Sequence, residues 1–109
     1  MSDEIFKKLK DFVEKQQSWE KYDFPLERTT KVELDLGITG EDAMEFIIAY
    51  GEQFNVDVSR FMAADYFDAE GHSLFSLGNQ RNKKILTLGD LEKGISAGRL
   101  DEKIINLPM

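Results

Sequence analysis

Apolar residues recur at helical spacing in three stretches of the chain, and each stretch carries polar residues on its other side. In residues 2–16 the stripe is Ile5, Phe6, Leu9, Phe12 and Val13, with Lys7, Lys8, Lys10 and Glu14 opposite. In residues 40–53 it is Ala43, Phe46, Ile47 and Tyr50, continued by Phe54 just beyond. From Leu88 onward it is Leu88, Leu91 and Ile95. The pattern predicts three amphipathic helices. A fourth, shorter helix is expected over residues 59–67, where Phe61, Met62, Ala64, Tyr66 and Phe67 give a large apolar load.

Boundary residues support these assignments. Ser2 can cap the first helix, with Asp3 and Glu4 in its first turn, where the helix dipole favours acids. Thr39 is the expected N-cap of the second helix, and Asp42 three residues later resembles a capping box with Asp in place of Glu. Asn55 suits a left-handed residue after that helix. Thr87 and Asp90 repeat the capping pattern for the last helix, and Gly98 suits its C-terminal left-handed position. Gly94, inside that helix, is expected to permit close packing.

The connections are uneven. Residues 17–32 form a long link in which Pro25 limits helix, and Trp19, Tyr22, Phe24 and Leu26 are too apolar for a wholly solvated loop. They are expected to pack across the bundle. Residues 72–84 are turn-rich and polar around GNQRNKK, and a hairpin pairing SLFSL with ILTL is open there. The tail DEKIINLPM holds a short apolar stretch able to dock on the domain. With 109 residues, no repeats and no Gly-, Pro- or Ser-rich linker, a single domain over residues 1–109 is expected.

Charge narrows the partners. The formal net charge is −7, which disfavours phosphate backbones and anionic membranes and steers the chain toward basic protein surfaces. The absence of cysteine removes disulfides, thiolate nucleophiles and cysteine metal sites. The start, MSDEIFKKLK, does not read as a signal peptide, and no segment approaches the ~20 apolar residues that span a bilayer. A cytoplasmic protein is expected.

The strongest candidate for function is the other side of the second helix. Glu41, Glu45 and Glu52 lie opposite its apolar stripe, with Ile48 among them and Met44 at the boundary. Acids steer a basic partner, while Met44 and Ile48 supply a contact that can be desolvated. Other candidates are weaker. The run Gly37-Ile38-Thr39-Gly40 before a helix suggests phosphate cradling, but lacks the dinucleotide or P-loop spacing and is followed by Glu41 and Asp42. His72 reads as a surface residue with no partner at catalytic spacing, and no metal-ligand spacing includes it. Asp65, Asp68 and Glu70 do not fit a calcium loop. Arg81, Lys83 and Lys84 read as a solvated basic run.

Leu34-Asp35-Leu36-Gly37, opening into an acidic amphipathic helix, resembles the acyl carrier proteins, whose hallmark is D-L-G-x-D-S-L at the start of the second helix. Asp35, Leu36 and Gly37 match, Ile38 takes the free position, and Asp42, Glu45, Phe46 and Phe54 continue the pattern in character. Leu86-Thr87-Leu88-Gly89-Asp90-Leu91 is similar to the carriers' threonine-started last helix. The resemblance spans residues 2–98 in outline and is motif-grade over residues 34–54, with residues 68–85 as an insertion. More closely, the chain resembles a family of short bacterial proteins described as acyl-carrier-like, with no established function. The resemblance implies a mainly α, acyl-carrier-like four-helix bundle with a long first loop. It also implies that the second helix meets partner proteins.

The departure falls on the residue that carries the prosthetic group. Gly40 stands at the position of the carrier serine and has no oxygen for a phosphodiester. Thr39 stands where carriers have an acid, and Glu41 where they have an apolar residue. No cofactor, no metal and no catalytic residue is therefore expected. The chain is read as a non-catalytic interaction or regulatory module that docks through Glu41, Met44, Glu45, Ile48 and Glu52, as a monomer or weak dimer. One alternative is a working carrier modified at another serine, Ser59 or Ser73. A third reading, acid–base catalysis by an Asp or Glu pair, needs a concave pocket holding paired carboxylates.

Overall fold

The structure is a computed structural model. It describes residues 2–16, 25–38, 40–63, 66–67 and 84–106, with the side chains of residues 2 and 3 left aside. The protein is mainly helical. Among the described residues four α-helices occur, in the order α1 (Ser2–Gln16), α2 (Gly40–Phe54), α3 (Leu88–Ala97) and α4 (Glu102–Ile105), and they form a small helical bundle.

The stripes predicted from the sequence are the buried faces, except that Ile5, Phe54 and Ile95 are only partly buried. On α1, Phe6, Leu9, Phe12 and Val13 are buried, and on α2, Ala43, Phe46, Ile47 and Tyr50. Leu88 and Leu91 of α3 are inaccessible to solvent. Each fully buried side chain of this kind contributes about 1.5–3 kcal/mol relative to exposure, so burial of these stripes is the main driving force for assembly. α3 lies centrally, packing against α1 and α4. α1 meets α2 through rings: the Phe12 centroid lies 5.5 Å from Phe46 and 5.4 Å from Phe54, the latter edge-on.

The link before α2 is folded onto the core. Leu26, Val32, Leu36 and Ile38 are buried. Its backbone pairs with the segment entering α3: Val32 N–H donates to Leu86 O at 2.9 Å and Leu88 N–H to Thr30 O at 3.0 Å. Lys31 and Thr87 form an antiparallel bridge. The apolar ILTL segment thus pairs with the first link, while the SLFSL segment of the open hairpin lies outside the described residues, as do Trp19, Tyr22 and Phe24.

Ser2, expected as a cap, is instead the first residue of α1; the capping expected around α3 is present. Thr87 accepts from Asp90 N–H and Asp90 from Thr87 N–H, closing a capping box. Gly98 ends α3 at φ 81°, and Asn55 follows α2 at φ 56°. Thr39 lies outside the described residues.

One predicted helix requires correction. Residues 59–63 and 66–67 are not α-helix: Phe61 N–H bonds Val58 O, and Tyr66 and Phe67 N–H both bond Ala63 O. These bonds close turns around Phe61 and Tyr66, whose rings stack with centroids 5.1 Å apart. Tyr66 and Phe67 are buried, so the apolar load anchors a turn instead of continuing a helix. The fourth helix is α4, in the tail. Asp101 caps it by accepting from Ile104 N–H, and Leu100 and Ile104 are buried.

Candidate functional site

The site centres on the entry to α2 and on its outer face. The entry is a built turn. Lys31 N–H donates to the Asp35 carboxylate at 2.8 Å, Asp35 N–H to Lys31 O at 3.0 Å and Gly37 N–H to Glu33 O at 3.0 Å. Leu36 is buried, and Gly37 takes φ 74°, where a side chain would be strained. The three matched residues of the Asp35-Leu36-Gly37 run therefore have distinct tasks: one closes the turn, one anchors it and one reverses the chain.

Gly40 follows at φ 62°. In this backbone glycine is the fitting residue, because an L side chain there costs about 1–2 kcal/mol. The local conformation at residue 40 thus disfavours a side chain.

Beyond Gly40, α2 turns its apolar stripe inward. Tyr50 is inaccessible to solvent, and its hydroxyl donates to Leu91 O at 2.7 Å. Burial raises the Tyr50 phenol well above its ordinary value. The helix is therefore fixed in rotation, and its opposite face must point outward. Glu41, Met44, Glu45, Ile48 and Glu52 are all exposed. At helical spacing they fall within an arc of about 100°. Met44 is 49% and Ile48 51% exposed, so about half of each apolar side chain meets water. The face is a strip of carboxylates with two apolar points between them. Glu41 and Asp42 also occupy the first turn, where they favour the helix and oppose a phosphate at its N-terminus.

A pair of carboxylates does share a surface concavity, as the acid–base reading required. Asp57 and Asp101 line it together with Arg60, Arg99 and Lys103. Both carboxylates already serve the backbone: Asp57 accepts from Ser59 N–H at 2.9 Å and Asp101 from Ile104 N–H at 3.0 Å. The Ser59 bonds hold Asp57 below the usual carboxylate range, opposite to the direction a general acid at neutral pH needs.

Among the described residues no group of three or more His, Cys, Asp or Glu is placed to hold a metal, and no helix is long and apolar enough to cross a membrane. His72, Ser73, Asp65, Asp68, Glu70, Arg81 and Lys83 lie outside the described residues. Ser59 is exposed and Lys84 pairs with Glu102.

A part-buried ion pair on α3 was not foreseen from the sequence. Glu92 of α3 is 3% exposed, and its carboxylate takes both forks of Arg28, at 2.6 and 3.1 Å. The same guanidinium lies 4.7 Å from the Phe6 ring centroid. The partners are 64 positions apart, and only an acid near the apolar stripe of α3 hinted at the contact.

The chain belongs to the family described as "Protein of unknown function (DUF1493)", which it matches over residues 2–100. No curated protein and no solved structure matches the chain.

Proposed function

We propose that this chain is a non-catalytic, acyl-carrier-like interaction or regulatory module without a prosthetic group. It acts in the cytoplasm by docking the acidic face of α2 on a basic, partly apolar protein surface. The observation that carries this reading is the joint exposure of Glu41, Met44, Glu45, Ile48 and Glu52 on a helix whose rotation is fixed by buried Tyr50. The carrier-like part rests on the Asp35-Leu36-Gly37 turn leading into this helix, and the missing prosthetic group on Gly40.

One face of a four-turn helix offers less than the ~800 Å² per partner of a standard interface. The contact is accordingly transient. Its carboxylates set encounter and orientation, and salt weakens it. Charge reversal at Glu41 and Glu45 tests it: partner capture falls if the face docks, and is unchanged if it does not.

A further inference from the structure

We propose that the cleft between the turn after α2 and the α3–α4 junction binds the phosphate group of a small anionic molecule. The cleft lies outside the α2 face, and the inference is independent of the docking proposed there.

The chain carries 14 Lys and Arg against 21 Asp and Glu, yet in this cleft the balance is reversed. Arg60, Arg99 and Lys103 face Asp57 and Asp101 around a concavity of about 430 Å³. That volume is within the range of small-molecule sites, and the described residues that line it are charged. Among the described residues this lining offers an apolar ligand little to contact, whereas a compact anion meets three cationic groups.

The backbone brings these cations together from two parts of the chain. Asp57 N–H donates to Gly98 O at 3.0 Å and Leu100 N–H to Asp57 O at 2.9 Å, forming a parallel bridge between Asp57 and Arg99. The bridge fixes the segment bearing Arg60 beside the segment bearing Arg99. Gly98 turns the chain at φ 81° just before Arg99. Lys103 follows in α4, which is anchored by buried Leu100 and Ile104.

The two carboxylates temper the site without closing it. One oxygen of Asp57 accepts from Ser59 N–H. Asp101 places one oxygen on Ile104 N–H and the other 3.2 Å from Arg99 Nε. The Arg99 side chain remains 51% exposed, so the ion pair with Asp101 does not bury it. Two guanidinium groups and one ammonium group supply donors for the oxygens of a phosphate, and arginine offers these as paired, directed donors.

The test is a ¹⁵N NMR titration of the full chain with inorganic pyrophosphate at constant ionic strength. Saturable shifts confined to the amides of residues 57–60 and 98–103 are expected. Arg60→Ala and Arg99→Ala should each weaken binding by about tenfold, the scale of one lost charge-assisted hydrogen bond. Asp101→Asn, which keeps an oxygen for Ile104 N–H but removes a charge, should tighten it. The Asp101 variant moves in the direction that partial unfolding would not. Absence of shifts, shifts spread over the lysines of α1, or equal titration of all variants would overturn the proposal.

Discussion

The hydroxyl of Tyr50 occupies the space that a side chain at residue 94 would fill. A Cβ built on Gly94 overlaps the Tyr50 oxygen and comes within 3.1 Å of Leu100 Cδ1. The glycine inside α3 therefore admits the hydrogen bond from Tyr50 to Leu91 O that fixes α2 against α3. Gly94→Ala should gain about 0.5–1 kcal/mol of helix propensity but lose about 1–3 kcal/mol to overpacking, for net destabilisation. In a Tyr50→Phe background, the same alanine should be close to neutral. Urea denaturation of the four proteins of this double-mutant cycle measures the coupling.

The same phenol gives an alkaline signature. Burial raises the Tyr50 pKa above the ordinary value of 10.0, so the folded state retains a proton that the unfolded state releases. Its stabilising effect is complete below pH 10 and is lost as pH rises above it, with a slope of up to about 1.4 kcal/mol per pH unit. Stability measured from pH 9 to pH 11 should fall more steeply in the wild type than in Tyr50→Phe.

Arg28 and Glu92 should respond unequally to truncation. Arg28→Ala strands a carboxylate whose side chain is 4% exposed, while the Arg28 side chain, 38% exposed, can reach water if Glu92 is changed. Breaking a buried pair from one side costs about 3–5 kcal/mol, a figure to be reduced here for the half-open arginine. Arg28→Ala should lose about 2–3 kcal/mol by this reasoning, and Glu92→Gln, which keeps an acceptor, about 1 kcal/mol. Thermal unfolding ranks the two, and a reversed order would contradict the assignment of Glu92 as the desolvated partner.

Gly40 makes a chemical prediction and a conformational one. Co-expression of the wild type with a phosphopantetheinyl transferase should leave its intact mass unchanged, because residue 40 has no hydroxyl. A mass gain would favour a working carrier modified at another residue, such as Ser59 or Ser73. Gly40→Ser should be destabilised by about 1–2 kcal/mol, since φ 62° is left-handed.

Much of this was legible in the sequence because it is local. The α1 and α2 stripes, the Thr87–Asp90 box, Gly98 and Asn55 depend on residues a few positions apart, and the chain folds as those spacings dictate. The outward face of α2 followed by subtraction, once Phe46, Ile47 and Tyr50 were placed inside. Residues 59–67 misled because apolar content is not helical by itself: Phe61, Tyr66 and Phe67 pack from turns closed by bonds to Val58 and Ala63. Asp101 before Glu102–Ile105 was a readable cap, but four residues are too short for periodicity to register. Arg28–Glu92 and the cleft that Arg60 and Arg99 both line depend on distant segments, which spacing does not encode.

The central claim concerns the face of α2, and partner capture tests it most directly. Wild type, Glu41→Lys/Glu45→Lys, Met44→Ser/Ile48→Ser and a control reversal on α1, Asp11→Lys/Glu14→Lys, would be immobilised and exposed to native lysate, with folding of each verified by circular dichroism. The account predicts a partner retained by wild type and by the α1 control, released by added salt, and lost from both α2 variants. Equal retention by all four proteins, or loss from the α1 control alone, would contradict it.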